Sequence, residues 1–120
     1  MYFQDCRAQY GDTMSVHQLN IREVRQGASG GSTVVSFSAE LELLDTSEPI
    51  AVEILSVVPA DALVEIAESA RNAILSGARR ALESRGKSAV IKVRGFLYHD
   101  VDYNPARVAL CTARAIEELP

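Results

Sequence analysis

Thr33-Val-Val-Ser-Phe-Ser-Ala-Glu-Leu-Glu-Leu-Leu44 alternates apolar and polar residues with a period of two. In an extended chain Val35, Phe37, Ala39, Leu41 and Leu43 fall on one side, and Ser36, Ser38, Glu40 and Glu42 on the other. The pattern predicts a strand in a sheet with one face on a core and the other in water. Downstream, Asp45 to Pro49 reads as a turn and Ile50 to Val58 as a third β-rich run. Upstream, Val16 to Gln26 carries Val16, Leu19, Ile21 and Val24 between polar residues, a strand with an irregular edge, and the glycine-rich stretch Gly27 to Gly31 breaks it. Consecutive hairpin-like connections predict an antiparallel sheet rather than a doubly wound one.

Beyond Pro59, where a helix can start, small and apolar residues recur at Leu63, Ile66, Ala70, Ala73, Gly77 and Ala81 in steps of three and four. Acids gather early (Asp61, Glu65, Glu68) and arginines late (Arg79, Arg80, Arg85), as the helix dipole favours, and Gly86 supplies a stop. A helix over Ala60 to Arg85 is therefore predicted. Gly77 weakens its interior by roughly 1 kcal/mol relative to alanine, which predicts a kink or a close approach to the sheet there. Ala89 to Leu97 alternates Ile91 and Val93 against Lys92 and Arg94, a fourth strand. Tyr98 to Asn104 reads as a polar loop, and Asn104-Pro105 as cap and first turn of a last helix that buries Val108, Cys111, Ala115 and Leu119. The order β-β-β-α-β-α predicts an α+β two-layer sandwich, a four-stranded sheet with two helices on one face. Residues 1–15 show no periodicity and are set outside the fold as an unstructured, leader-like segment, leaving one domain over 16–120.

Composition narrows the function. With 120 residues, 48% of them hydrophobic and 23% charged, the chain has material for one core. No apolar run approaches the roughly 20 residues of a membrane helix, and the N-terminus lacks the order of a secretory signal, so the expectation is a cytoplasmic protein without membrane partners. A net charge of −4 opposes an extended grip on nucleic-acid phosphates while allowing a local one. Cys6 and Cys111 have no disulfide or metal spacing, and Cys111 reads as core packing. There is no Gly-x-x-x-x-Gly-Lys-Ser/Thr phosphate loop, and no cofactor or metal is expected.

The run Ile91-Lys-Val-Arg-Gly-Phe-Leu-Tyr98-His99-Asp100-Val101-Asp102, followed by an alanine-rich helix, resembles the part of elongation factor G domain IV in which a strand ends in Tyr-His-Asp-Val-Asp-Ser-Ser and enters a helix. Val57-Val58-Pro59 before a long helix is similar to that family's Val-Ile-Pro helix start, and Gly27 to Gly31 to its first tip loop. The likeness spans roughly Val16 to Leu119. It implies the ribosomal protein S5 domain 2-like fold, with that fold's left-handed β-α-β connection. It also implies two loops at one tip that, in the family, enter the decoding region of the small ribosomal subunit and contact transfer and messenger RNA. Tyr103 and Asn104 stand where the family has paired serines, and the first loop is shortened and lacks the family's arginine and glutamine.

The resemblance makes Tyr98, His99, Asp100 and Asp102 the candidate binding residues. His99 with the two aspartates is also where general base or metal chemistry would be sought, but no local spacing supplies further ligands, and aspartates bracing a helix start explain the same residues. Arg22, Arg25, Lys92 and Arg94 lie on two predicted strands near the loops and form a candidate basic patch, good for two or three phosphate contacts; solvated strand faces are the plainer reading. Phe96, Tyr98 and Tyr103 either stack on bases or close a core. The leading expectation is a non-enzymatic module that contacts the ribosome or RNA through the loop around His99. Its rivals are a scaffold that binds a protein partner or forms a homodimer, and, last, a small accessory enzyme.

Overall fold

The alternation at residues 33–44 becomes the second of four principal strands in a mixed sheet of six. A computed structural model describes residues 6–7, 10–13, 16–26, 32–44, 48–59, 64–98 and 103–119. Its elements are β1 (Cys6–Arg7), β2 (Tyr10–Thr13), β3 (Val16–Gln26), β4 (Ser32–Leu44), β5 (Ala51–Ile54), β6 (Val57–Val58), α1 (Val64–Leu82), a single 3-10 turn (Glu83–Arg85), β7 (Ser88–Arg94), β8 (Phe96–Leu97) and α2 (Pro105–Glu117). The principal strands lie in the order β3-β4-β7-β5, and β6 and β8 form a small parallel pair beyond them. Val35, Phe37, Ala39 and Leu41 of β4 are buried with Ala70, Ile74, Ala78 and Leu82 of α1 and with Val108, Cys111 and Ile116 of α2. The opposite face carries Ser38, Glu40 and Glu42, so the two-layer α+β sandwich read from the sequence is the fold.

Three expectations are corrected. Residues 1–15 are not all outside the fold: β1 and β2 pair antiparallel with the outer edge of β3, with Cys6 opposite Glu23 and Tyr10 opposite Leu19. Strands of two and four residues are too short to display a period. The sheet is not purely antiparallel, because β5 lies beyond β7 and runs parallel to it, Val52 opposite Ile91. Alternation fixes which face a residue takes, not which strand becomes its neighbour, and a long helix between two strands suits a parallel crossover. The runs at 50–58 and 89–97 are each broken in two: Gly95 adopts φ 63°, and its N–H donates to Ser56 Oγ at 2.8 Å.

Helix ends follow the sequence closely where they are described. Asn104 Oδ1 accepts the Arg107 N–H at 3.2 Å with Pro105 first in α2, while Gly86 closes the α1 segment at φ 64°. The Val58–Pro59 bond is cis, and α1 is described from Val64 rather than from Ala60. Arg85, expected to complement its own helix, instead donates to the carbonyls of Ile116 and Leu119 at 3.3 and 3.0 Å and so caps α2.

Gly77 makes a close approach, but to α2 and not to the sheet. A Cβ placed there would strike the Ala109 carbonyl oxygen and stand 2.9 Å from Thr112 Cβ. Gly77→Ala gains roughly 1 kcal/mol of helix propensity but overpacks a helix contact at a cost of about 1–3 kcal/mol. The expected result is a net loss of about 1 kcal/mol in urea denaturation. An alanine variant as stable as the parent would show that the helices separate freely.

Candidate functional site

Strand register places the residues that flank 27–31 and 99–102 at one end of the sheet. β4 runs away from Ser32, and β7 returns antiparallel, with Leu44 opposite Ser88 and Ser38 opposite Arg94. The end of β7 and then β8 therefore point toward the Gln26–Ser32 end of the β3–β4 pair. β5 and β6 run the same way beside them. The residues flanking both predicted tip loops thus lie at the same end as the start of α2. Gly27 to Gly31, His99, Asp100 and Asp102 themselves lie outside the described residues.

The base of the second loop is built from aromatic rings. Phe37 of β4 stacks on Phe96 with ring centres 5.6 Å apart, Phe96 meets Tyr103 edge-on at 6.2 Å, and Tyr103 meets Tyr98 edge-on at 5.3 Å. The Tyr98 N–H donates to the Val58 carbonyl at 2.8 Å, and the Tyr103 hydroxyl shares a hydrogen bond with Ser69 of α1. Phe96 is buried and closes the core here, while Tyr98 and Tyr103 are half-buried beside it. They also fix both ends of the stretch that carries His99, Asp100 and Asp102.

The four basic residues do not form one patch. Arg22, Lys92 and Arg94 are exposed on the outer face of the sheet, whereas Arg25 shares the helix-side parity of Leu19, Ile21 and Glu23. Carboxylates interleave with the three on the outer face: Glu40 lies opposite Lys92, 3.7 Å from Arg94, and accepts from Gln18. An exposed ion pair of this kind contributes little to stability and dilutes the positive field.

Sequence reasoning missed a buried ion pair between sheet and helix. Glu23 is 0% exposed, and Arg107 Nε and Nη2 donate to its two oxygens at 2.8 and 2.7 Å. Burial pushes the Glu23 carboxyl up, but hydrogen bonds from Arg107 and the Cys111 thiol and the charges of Arg107 and Arg114 outweigh it and hold the group below the usual carboxylate range. The signal was present: if Leu19 and Ile21 face inward, then so do residues 17 and 23, and a buried carboxylate requires a cation. His17 is the other buried polar residue of β3, with Nδ1 unpartnered among the described residues. Among the described residues no group of three His, Cys, Asp or Glu side chains is placed to hold a metal, and no helix is long and apolar enough to cross a membrane.

These features define a two-layer α+β domain in which the residues flanking 27–31 and 99–102 lie at one end, beside the packed rings of Phe96, Tyr98 and Tyr103. No protein family and no curated protein matches the sequence. Among solved structures, the chain is similar to a crystal structure of a protein from Thermus thermophilus, with a TM-score of 0.56 and 14% identity over 98% of this chain. That likeness shows the fold. The matched region is 16% of the Thermus protein, so this chain spans about a sixth of its length.

Proposed function

We propose that this chain is a non-enzymatic binding module, similar in role to the tip domain of a translational translocase, that engages ribosomal RNA through the end bearing Gly27 to Gly31 and Tyr98 to Asn104. The observation that carries the reading is the convergence of both loops' flanking residues on one end, with the second loop held by the Tyr98–Tyr103 pair. A short stretch fixed at both ends loses less conformational entropy on binding than a free one. The resemblance of Tyr98-His99-Asp100-Val101-Asp102 to the elongation factor G tip gives that end its ligand class. The Thermus structure adds that this fold occurs as a small part of a much longer chain.

With few basic residues near this end, only two or three phosphate contacts are available, so the affinity should be modest and fall with salt at a log–log slope of roughly −2. Co-sedimentation with purified small subunits across a salt series, beside His99→Ala, measures this. Saturable, salt-sensitive binding weakened by His99→Ala is the expected outcome. Enrichment no greater than that of an unrelated acidic protein would overturn the assignment.

A further inference from the structure

Among the described residues, β5 is an open edge of the sheet. The Leu55 N–H donates to the Val93 carbonyl at 2.7 Å, and among the described residues no strand pairs along the other side of β5. In a parallel ladder alternate residues turn their peptide groups toward the same neighbour. Glu53 and Leu55 therefore face β7, and the N–H and C=O groups of Val52 and Ile54 face outward. The opposite edge of the sheet differs, because β1 and β2 cover β3.

Beside the open edge runs the first half of α1, and the groove between them is lined by Val52, Ile54, Val64 and Ala67 together with Glu53, Glu68 and Arg71. The exposed large hydrophobic residues of the described structure are Leu55 (40%), Val58 (49%) and Val64 (74%). All belong to the β5–β6 stretch or to the first turn of α1. Natural proteins usually shield an unpaired edge, and an edge strand lying next to an apolar helix face is the geometry in which extended peptides are taken up as an extra strand.

We propose that this edge binds an extended segment of a partner protein as an added strand, its apolar residues directed at Val64 and Ala67 on the helix side and its intervening basic residues at Glu53 on the outer face. Charge selects this occupant over a second copy of the chain. Edge-to-edge pairing about a two-fold axis would bring Glu53 and Glu68 toward their own counterparts, in a molecule of net charge −4. The groove itself carries two carboxylates against one guanidinium. The surface is distinct from the loops of the proposed RNA contact, and the two assignments stand or fall separately.

The test uses a fluorescent octapeptide of alternating valine and lysine, titrated into the full chain at physiological ionic strength and followed by anisotropy. Saturable binding is expected, weakened at least about tenfold by Val64→Glu, a change at an exposed position that leaves the core intact. Methylating alternate backbone nitrogens of the peptide should weaken it similarly, because the added ladder needs those donors. Glu53→Lys should shift preference toward the alternating valine–glutamate peptide. Equal binding of a block-ordered peptide of the same composition, or no effect of Val64→Glu, would reduce the contact to non-specific charge attraction and overturn the proposal. A concentration-dependent dimer in sedimentation that Val64→Glu abolishes would overturn it in favour of a second copy.

Discussion

Arg107→Ala is expected to lower the unfolding free energy by about 3–5 kcal/mol, because it strands the Glu23 carboxylate in the core. For a chain of this size that corresponds to roughly 10–20 °C in melting temperature. Glu23→Ala should cost less. Arg107 retains 15% side-chain exposure and can turn its guanidinium to water, an escape closed to Glu23 at 0%. Replacing both residues by leucine should recover most of the loss, since a buried pair repays its desolvation poorly against apolar packing. The pH dependence separates these effects. In the parent, the folded-state pKa of Glu23 is depressed, so its contribution is present above the ordinary carboxylate range and is lost as pH falls through the folded value. Without Arg107, only the Cys111 thiol and the Arg114 charge oppose burial, so the folded pKa should rise from its depressed value and the protonated carboxyl should be tolerated better in acid. Urea denaturation at several pH values should therefore show the Arg107→Ala deficit shrinking on acidification. A deficit below about 1 kcal/mol at neutral pH would mean that the pair contributes little.

Phe96→Ala should be comparably severe, with a loss of about 3–5 kcal/mol. Phe96 is 1% exposed and touches both Phe37 and Tyr103, so its removal opens a cavity between the sheet and Tyr103. Phe96→Leu keeps most of the volume and should cost roughly 1–1.5 kcal/mol. The chain contains four tyrosines and no tryptophan, so its near-ultraviolet circular dichroism reports largely on the tyrosines. Loss of that signal in Phe96→Ala below its unfolding transition would show that Tyr98 and Tyr103 depend on this ring for their order. An unchanged spectrum with a loss under about 1 kcal/mol would mean that the loop base is secured elsewhere.

Local physics makes much of the fold legible in the sequence. The side-chain period of two places Val35 to Leu41 inward, and the Asn104-Pro105 pair marks the start of α2 correctly. What stays hidden depends on partners distant in sequence. Glu23 and Arg107 are 84 residues apart, and β5 takes β7 over β4 as its neighbour for reasons that lie in the whole sheet. Gly77 announces close packing without saying against what. Arg25 is a different case, since extending the inward parity of Leu19 and Ile21 by four residues would have separated it from Arg22. Of the candidate site, Tyr98 is read from the sequence as a tip-loop binding residue, and the structure places its ring against Tyr103. The roles of His99, Asp100 and Asp102 rest on the family resemblance.

The glycine contact between the helices has a mechanical consequence. α1 and α2 meet backbone to backbone at Gly77 and the Ala109 carbonyl, and Arg85 ties the far end of one to the last carbonyls of the other. Two rods joined at mid-length and again at one end resist shear far better than either rod alone. A load applied at the end where α1 and α2 begin is thus carried along the pair as thrust rather than lost in bending, and the helix layer acts as a strut behind the end that carries the proposed contact.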